Sequence, residues 1–158
     1  MIVIARNPID VLPSFIGLSQ LDSHSLVPEQ EVHTAFPDWW NDWVSLMTQN
    51  LKKNHEVTKD WIAAEIPTYW MRYEDLKINP RPVLEDLFCF LLDVSSIAGT
   101  VVEKRIAEVT QAGFESKAAY KLKNTSSNLS RSNYMYTDEQ MGVMKTNLAD
   151  FIRFWKYD

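Results

Sequence analysis

Arg6 and Ser14, eight residues apart, are the first side chains in the sequence whose types and spacing could do chemistry. A guanidinium is a permanent fork of donors and a hydroxyl both donates and accepts, so together they can grip a phosphate. An arginine just after a strand is also commonly no more than solvated. Tyr73 follows a second apolar segment, and a ring with a hydroxyl at the carboxyl end of a parallel strand can lie beside a purine. It can equally be a half-buried tyrosine that closes the strand. Arg131 lies in a basic, glycine-free stretch with Lys121, Lys123, Asn124, Thr125, Ser126, Ser127, Asn128, Ser130, Ser132 and Asn133. Hydroxyls and amides around one arginine can wrap a phosphate, and the same composition can remain disordered.

These groups need elements to position them. Ile2-Val3-Ile4-Ala5 reads as a short strand buried on both faces, the signature of a parallel sheet. Asn7 then suits an N-cap, Pro8 the first helical position and Asp10 the positive helix end. Unpaired N–H groups at such a strand-to-helix junction are a common anion site in α/β folds. None of the four glycines lies near it, which argues against a P-loop or dinucleotide fingerprint. The helix runs through Val11, Leu12, Phe15 and Ile16, with Pro13 expected to bend it, and 19 to 37 reads as a long surface loop.

Asp38 is the expected cap of a helix with Trp40, Trp43, Val44, Met47 and Leu51 inward and Asn41, Asp42, Ser45, Thr48, Gln49 and Lys52 outward. Residues 66 to 71 read as the second strand. Glu74 and Asp75 are neighbours whose side chains point apart, so a capping turn fits better than an acid/base pair. Asn79-Pro80-Arg81-Pro82 opens a helix with Val83, Leu84, Leu87, Phe88 and Leu91 as its buried stripe. Capping boxes at Thr100 to Glu103 and Thr137 to Gln140 open two more helices. Val102, Ile106 and Val109 face inward on the first; Met141, Met144, Leu148, Phe151 and Trp155 form the stripe of the second. His24, His33 and His55 read as solvated.

At 158 residues the chain is one domain by size, with a net charge of −5 that disfavours broad nucleic-acid binding. No apolar run approaches the ~20 residues of a membrane span, and the opening segment does not resemble a signal peptide. The single Cys89 excludes an internal disulfide, offers no metal site, and fits helix packing in a reducing, cytoplasmic setting.

The run from Ile2 through Arg6-Asn7-Pro8 to Ser14 resembles the 3′-phosphate segment of the sulfotransferases that use 3′-phosphoadenosine 5′-phosphosulfate (PAPS), releasing adenosine 3′,5′-bisphosphate (PAP). Tyr73-Glu74-Asp75-Leu76 with the following Pro and amphipathic helix is similar to that family's Tyr-Glu-Asp-Leu/Met segment. Trp40-Asn41-Asp42-Trp43-Val44 resembles its Trp-Phe-x-His-Val, with Trp43 in place of the His. Residues 110 to 117 resemble its Ser-Phe-x-x-Met-Lys stretch through Phe114 and Lys117. The resemblance implies cofactor contacts at Arg6, Ser14, Tyr73, Phe114 and Arg131: phosphate for the first two and the last, adenine for Tyr73 and Phe114. Phe114 also fits simple core packing. Arg131 stands alone where cytosolic relatives carry Arg-Lys-Gly.

The implied fold is α/β, a partial three-layer sulfotransferase or P-loop-like arrangement with a short parallel sheet flanked by helices. Residues 1–158 correspond to roughly the C-terminal three-fifths of such a domain. The family's general base and 5′-phosphosulfate lysine are expected ahead of Met1, so no catalytic residue is assigned. Two functions follow: sulfuryl transfer to a hydroxyl or amine of a small-molecule or glycan acceptor once the missing half is supplied, or a non-catalytic fragment or subunit. In either case a partial sheet should expose apolar surface and open strand edges to a partner chain or the missing half.

Overall fold

The computed structural model describes residues 1–21, 32–111 and 135–157. The described elements run β1 (Ile2–Ala5), α1 (Pro8–Leu21), α2 (Val32–Ala35), α3 (Pro37–Ala63), β2 (Tyr69–Arg72), α4 (Tyr73–Ile78), α5 (Pro80–Leu92), α6 (Val101–Gln111), α7 (Asp138–Asn147) and α8 (Ala149–Trp155). This is an α/β chain, mostly helical, with a parallel two-stranded sheet. It forms two compact units, one of Met1–Ala5 with Pro67–Ser127 and one of Arg6–Ile66 with Asn128–Asp158.

In the first unit Ile2, Val3, Ile4 and Ala5 pair in register with Tyr69, Trp70, Met71 and Arg72. The second strand is therefore displaced from the 66–71 expected. β1 is not buried on both faces: Ala5 is, but Ile2 and Ile4 are 40% and 59% exposed. A two-stranded sheet cannot cover both sides of an apolar strand. The helices tell the same story. No described residue of α5 is fully buried and Leu91 is exposed; on α6 Ile106 is buried while Val109 is exposed. The expected stripes are correct in spacing and wider than the surface available to bury them. Tyr69 bridges sheet and helix, its ring against Phe90 and its hydroxyl donating to the Val83 carbonyl at 3.3 Å.

The second unit packs α1, α3 and α7 around Leu12, Ile16, Trp40, Val44, Met135, Tyr136 and Met144. α1 continues to Leu21 and α2 covers 32 to 35, so helix replaces both ends of the expected loop, whose middle lies outside the described residues. Extending a nucleated helix costs little per residue, which lets it run on through Ser19 and Gln20. α3 has 27 residues, about 40 Å of helix, and starts at Pro37, so Asp38 sits in its first turn rather than at its cap. Thr48 and His55, expected to be solvated, are both buried. Thr48 lies one turn beyond Val44 on the inward face, and its hydroxyl donates to the Val44 carbonyl at 2.7 Å. The C-terminal helix is two helices, α7 and α8, divided at the buried Leu148. The Thr137–Gln140 capping box forms in full.

Candidate functional site

The junction after β1 is built by Asn7. Its Oδ1 accepts the Ile9 N–H at 3.0 Å, and its carbonyl accepts the Asp10 and Val11 N–H groups at 3.0 Å. Asn7 is 4% exposed, a fixed cap. The consequence corrects the expectation of unpaired donors: the N–H groups of Ile9, Asp10 and Val11 are spent within the turn, and Pro8 has none. An anion here would depend on side chains and the residual helix field. Arg6 and Ser14 are both partly buried. Helical rise puts Ser14 about 9 Å along the axis from Pro8, on the stripe that also carries Asn7 and Asp10.

Tyr73 opens α4, a short helix that sequence reasoning read as a turn. Just before it, Arg72 clamps Asp75 with two bonds, Nε to Oδ2 at 2.8 Å and Nη2 to Oδ1 at 2.6 Å. The fork fixes how the chain leaves the strand. Asp75 is thereby held by Arg72 within the first turn of α4, whose N-terminus carries no side-chain cap where a capping role was expected. Lys77, one turn on, lies with Nζ 5.5 Å from the Tyr73 ring centroid. Neither Lys77 nor the clamp was singled out from the sequence, although the i,i+4 and i,i+3 spacings were there to be read.

Arg6 and Ser14 belong to one compact unit and Tyr73 to the other. Phe114 and Arg131 lie outside the described residues, as does His24. His33 is on α2, half-buried, its ring edge-on to Trp40 at 6.5 Å. His55 is not solvated: it is 5% exposed, edge-on to Phe151 and Phe154, with Nε2 3.4 Å from Asp150. Burial lowers its pKa against the pull of the Asp150 carboxylate. The Tyr136 phenol is pushed well above its ordinary range by burial and then by Asp10. Both groups are structural. Cys89 is a free thiol, partly buried on α5, and no cluster that could hold a metal occurs among the described residues. Nor is any described helix long and apolar enough to cross a membrane.

A parallel β–helix junction holding an arginine, a second strand followed at once by Tyr-Glu-Asp, and amphipathic helices after it occur here in the order the sequence resemblance requires. Searches of curated proteins and of solved structures find no match. Residues 1–147 match the sulfotransferase domain family, and the chain belongs to that family.

Proposed function

We propose that this chain binds the 3′-phosphate and adenine of PAPS or PAP and serves sulfuryl transfer to a hydroxyl or amine of a small-molecule or glycan acceptor, in a cytoplasmic setting. The observation that carries the reading is the parallel register with Ala5 opposite Arg72. It sets the carboxyl ends of both strands side by side, and Arg6 and Tyr73 are the residues that follow them. Ligands of open α/β sheets bind at that edge. Arg6 and Ser14 would hold the phosphate, with Arg131 closing over it; Tyr73 and Phe114 would take the adenine. The donor set fits an anion through side chains, since the first-turn N–H groups are occupied by Asn7. PAPS, when bound, would supply the sulfuryl group, and none of the described residues of this chain is assigned as the base that takes the acceptor's proton.

A second reading, a non-catalytic fragment or subunit in a larger assembly, is favoured by the exposure of Ile2 and Ile4 on β1. Calorimetric titration of PAP into the chain and into Arg6→Ala separates the two. Saturable binding that the substitution weakens at least about tenfold supports the nucleotide site. No heat of binding with either protein rejects it and leaves the second reading.

A further inference from the structure

α4 has little of its own to hold it. It is 6 residues long, well short of the ~12 at which a helix begins to stand alone in water, and none of its residues is buried. Arg72, at its N-cap position, gives the turn no side-chain cap. It forks instead onto the Asp75 carboxylate, at 2.8 Å from Nε and 2.6 Å from Nη2, and the Asp75 carbonyl accepts the Asn79 N–H at 2.9 Å. Asp75 therefore ties both ends of the helix. Tyr73 lies between the clamped residues in sequence, and Lys77 Nζ stands 5.5 Å from its ring centroid. The Arg72 and Asp75 side chains are 29% and 42% exposed, a setting in which an ion pair adds little to global stability. What a bidentate fork fixes there is direction. Arg72 is held in the sheet opposite Ala5, so closing it onto Asp75 sets the first turn of α4 and with it the course of Tyr73.

We propose that Arg72 and Asp75 are positioning residues that hold Tyr73 ready for the adenine ring, acting through Tyr73 and not by contact with the ligand. The inference rests on the nucleotide reading above and adds to it two residues that the reading does not use. A ring fixed before binding spares the ligand the cost of ordering it, and that saving appears as affinity. Direct electrostatics has the opposite sign. Asp75→Asn removes a negative charge from a chain of net charge −5 and releases the guanidinium from its fork, so a direct effect on an anionic nucleotide strengthens binding. Positioning weakens it.

The test is calorimetric titration of PAP into the parent chain, Asp75→Asn, Tyr73→Leu and the double variant, with thermal unfolding of each. Asp75→Asn should weaken PAP about two- to tenfold while lowering Tm by no more than about 3 °C. In the Tyr73→Leu background, which has no ring to orient, the same substitution should leave PAP affinity unchanged or slightly improved. A parent chain that binds no PAP overturns the proposal together with the nucleotide reading. Intact PAP binding that Asp75→Asn leaves equal or tighter overturns the proposal alone, and so does a loss that persists in the Tyr73→Leu background, which would assign the clamp to the fold. Should Asp75→Asn not fold, Asp75→Ser takes its place under the same criteria.

Discussion

The Tyr136 hydroxyl donates to the Ile9 carbonyl at 2.9 Å, across 127 residues of sequence. Ile9 is the residue four before Pro13, and Pro13 has no N–H to give it. Tyr136 thus supplies the hydrogen bond that the proline withholds inside α1, and Trp40 holds the same segment from the other side, its indole N–H donating to the Met135 carbonyl at 2.8 Å. A buried proline in the core is tolerated because a side chain from the far end of the chain repairs the helix.

Replacing Tyr136 by Phe should therefore leave a mostly buried acceptor unpaired and cost about 1–3 kcal/mol. Pro13→Ala restores a backbone donor to Ile9, so in that background the same substitution should cost clearly less. A double-mutant cycle by urea denaturation measures the difference. Equal costs in both backgrounds would show that Tyr136 contributes through ring packing alone.

Three of the described helices close through a left-handed residue that is not glycine. After α3, α5 and α8 the residues Glu65, Asp93 and Lys156 take φ values of 55°, 54° and 55°. In each, the next two N–H groups turn back onto the last turn, as with Glu65 to Ile62 and Ile66 to Trp61, both at 3.0 Å. That is a Schellman closure with a β-carbon in the left-handed region, where glycine is the relaxed choice. Glu65→Gly should stabilise the protein by a few tenths to about 1 kcal/mol, after the loss of unfolded-state restriction is deducted. Thermal unfolding would register a higher Tm.

The missing glycines also explain part of what could not be read in advance. With no Gly stop, the end of α3 at Ala63 had no local marker, and the reading of its faces stopped at Lys52. Where signals were local, they were legible: Asn7 caps α1, Thr137 and Gln140 close a capping box, and β1 lies in a parallel sheet. Where they depended on distant partners, they were not. Thr48 and His55 look polar in sequence, yet their spacing from Val44 follows the inward face of a helix long enough to be covered again further along. Conversely Leu91 and Val109 have core spacing and no described surface over them. For the candidate site, Arg6 and Tyr73 were legible as residues following strands; the Asn7 carbonyl's use of the first-turn donors was not, because it is a matter of backbone geometry.

If the nucleotide reading holds, its residues should lose affinity in a defined order. Arg6→Ala removes a charge-assisted fork and should weaken PAP by about 10- to 100-fold, whereas Ser14→Ala removes one neutral hydrogen bond and should cost about three- to tenfold. Tyr73→Phe should bind nearly as well as the parent when the ring face is what matters, and Tyr73→Ala markedly worse. Competition with adenosine 5′-monophosphate distinguishes the 3′-phosphate contact: its affinity should be indifferent to Arg6→Ala. Equal loss for both nucleotides would place the guanidinium elsewhere.

His55 gives the chain a pH dependence of known sign. Its imidazole is wedged against Phe151 and Phe154, and burial lowers its pKa below the ordinary 6.5 although Asp150 lies at 3.4 Å. The unfolded chain takes up a proton near 6.5 while the folded chain still resists, so in that window the unfolded state binds more protons. Stability should hold level above 6.5, fall as pH drops from there through the lowered folded value, and level off again below it. Asp150 adds a lower window: chiefly the hydrogen bond from Lys59 at 2.6 Å, with His55 adding to it, depresses its pKa, so its contribution persists until pH falls below the ordinary 3.8. His55→Phe should abolish the upper decline and leave the lower one. Urea midpoints measured from pH 8 to about pH 2 resolve the two windows, and an upper decline that survives His55→Phe would assign it to another group.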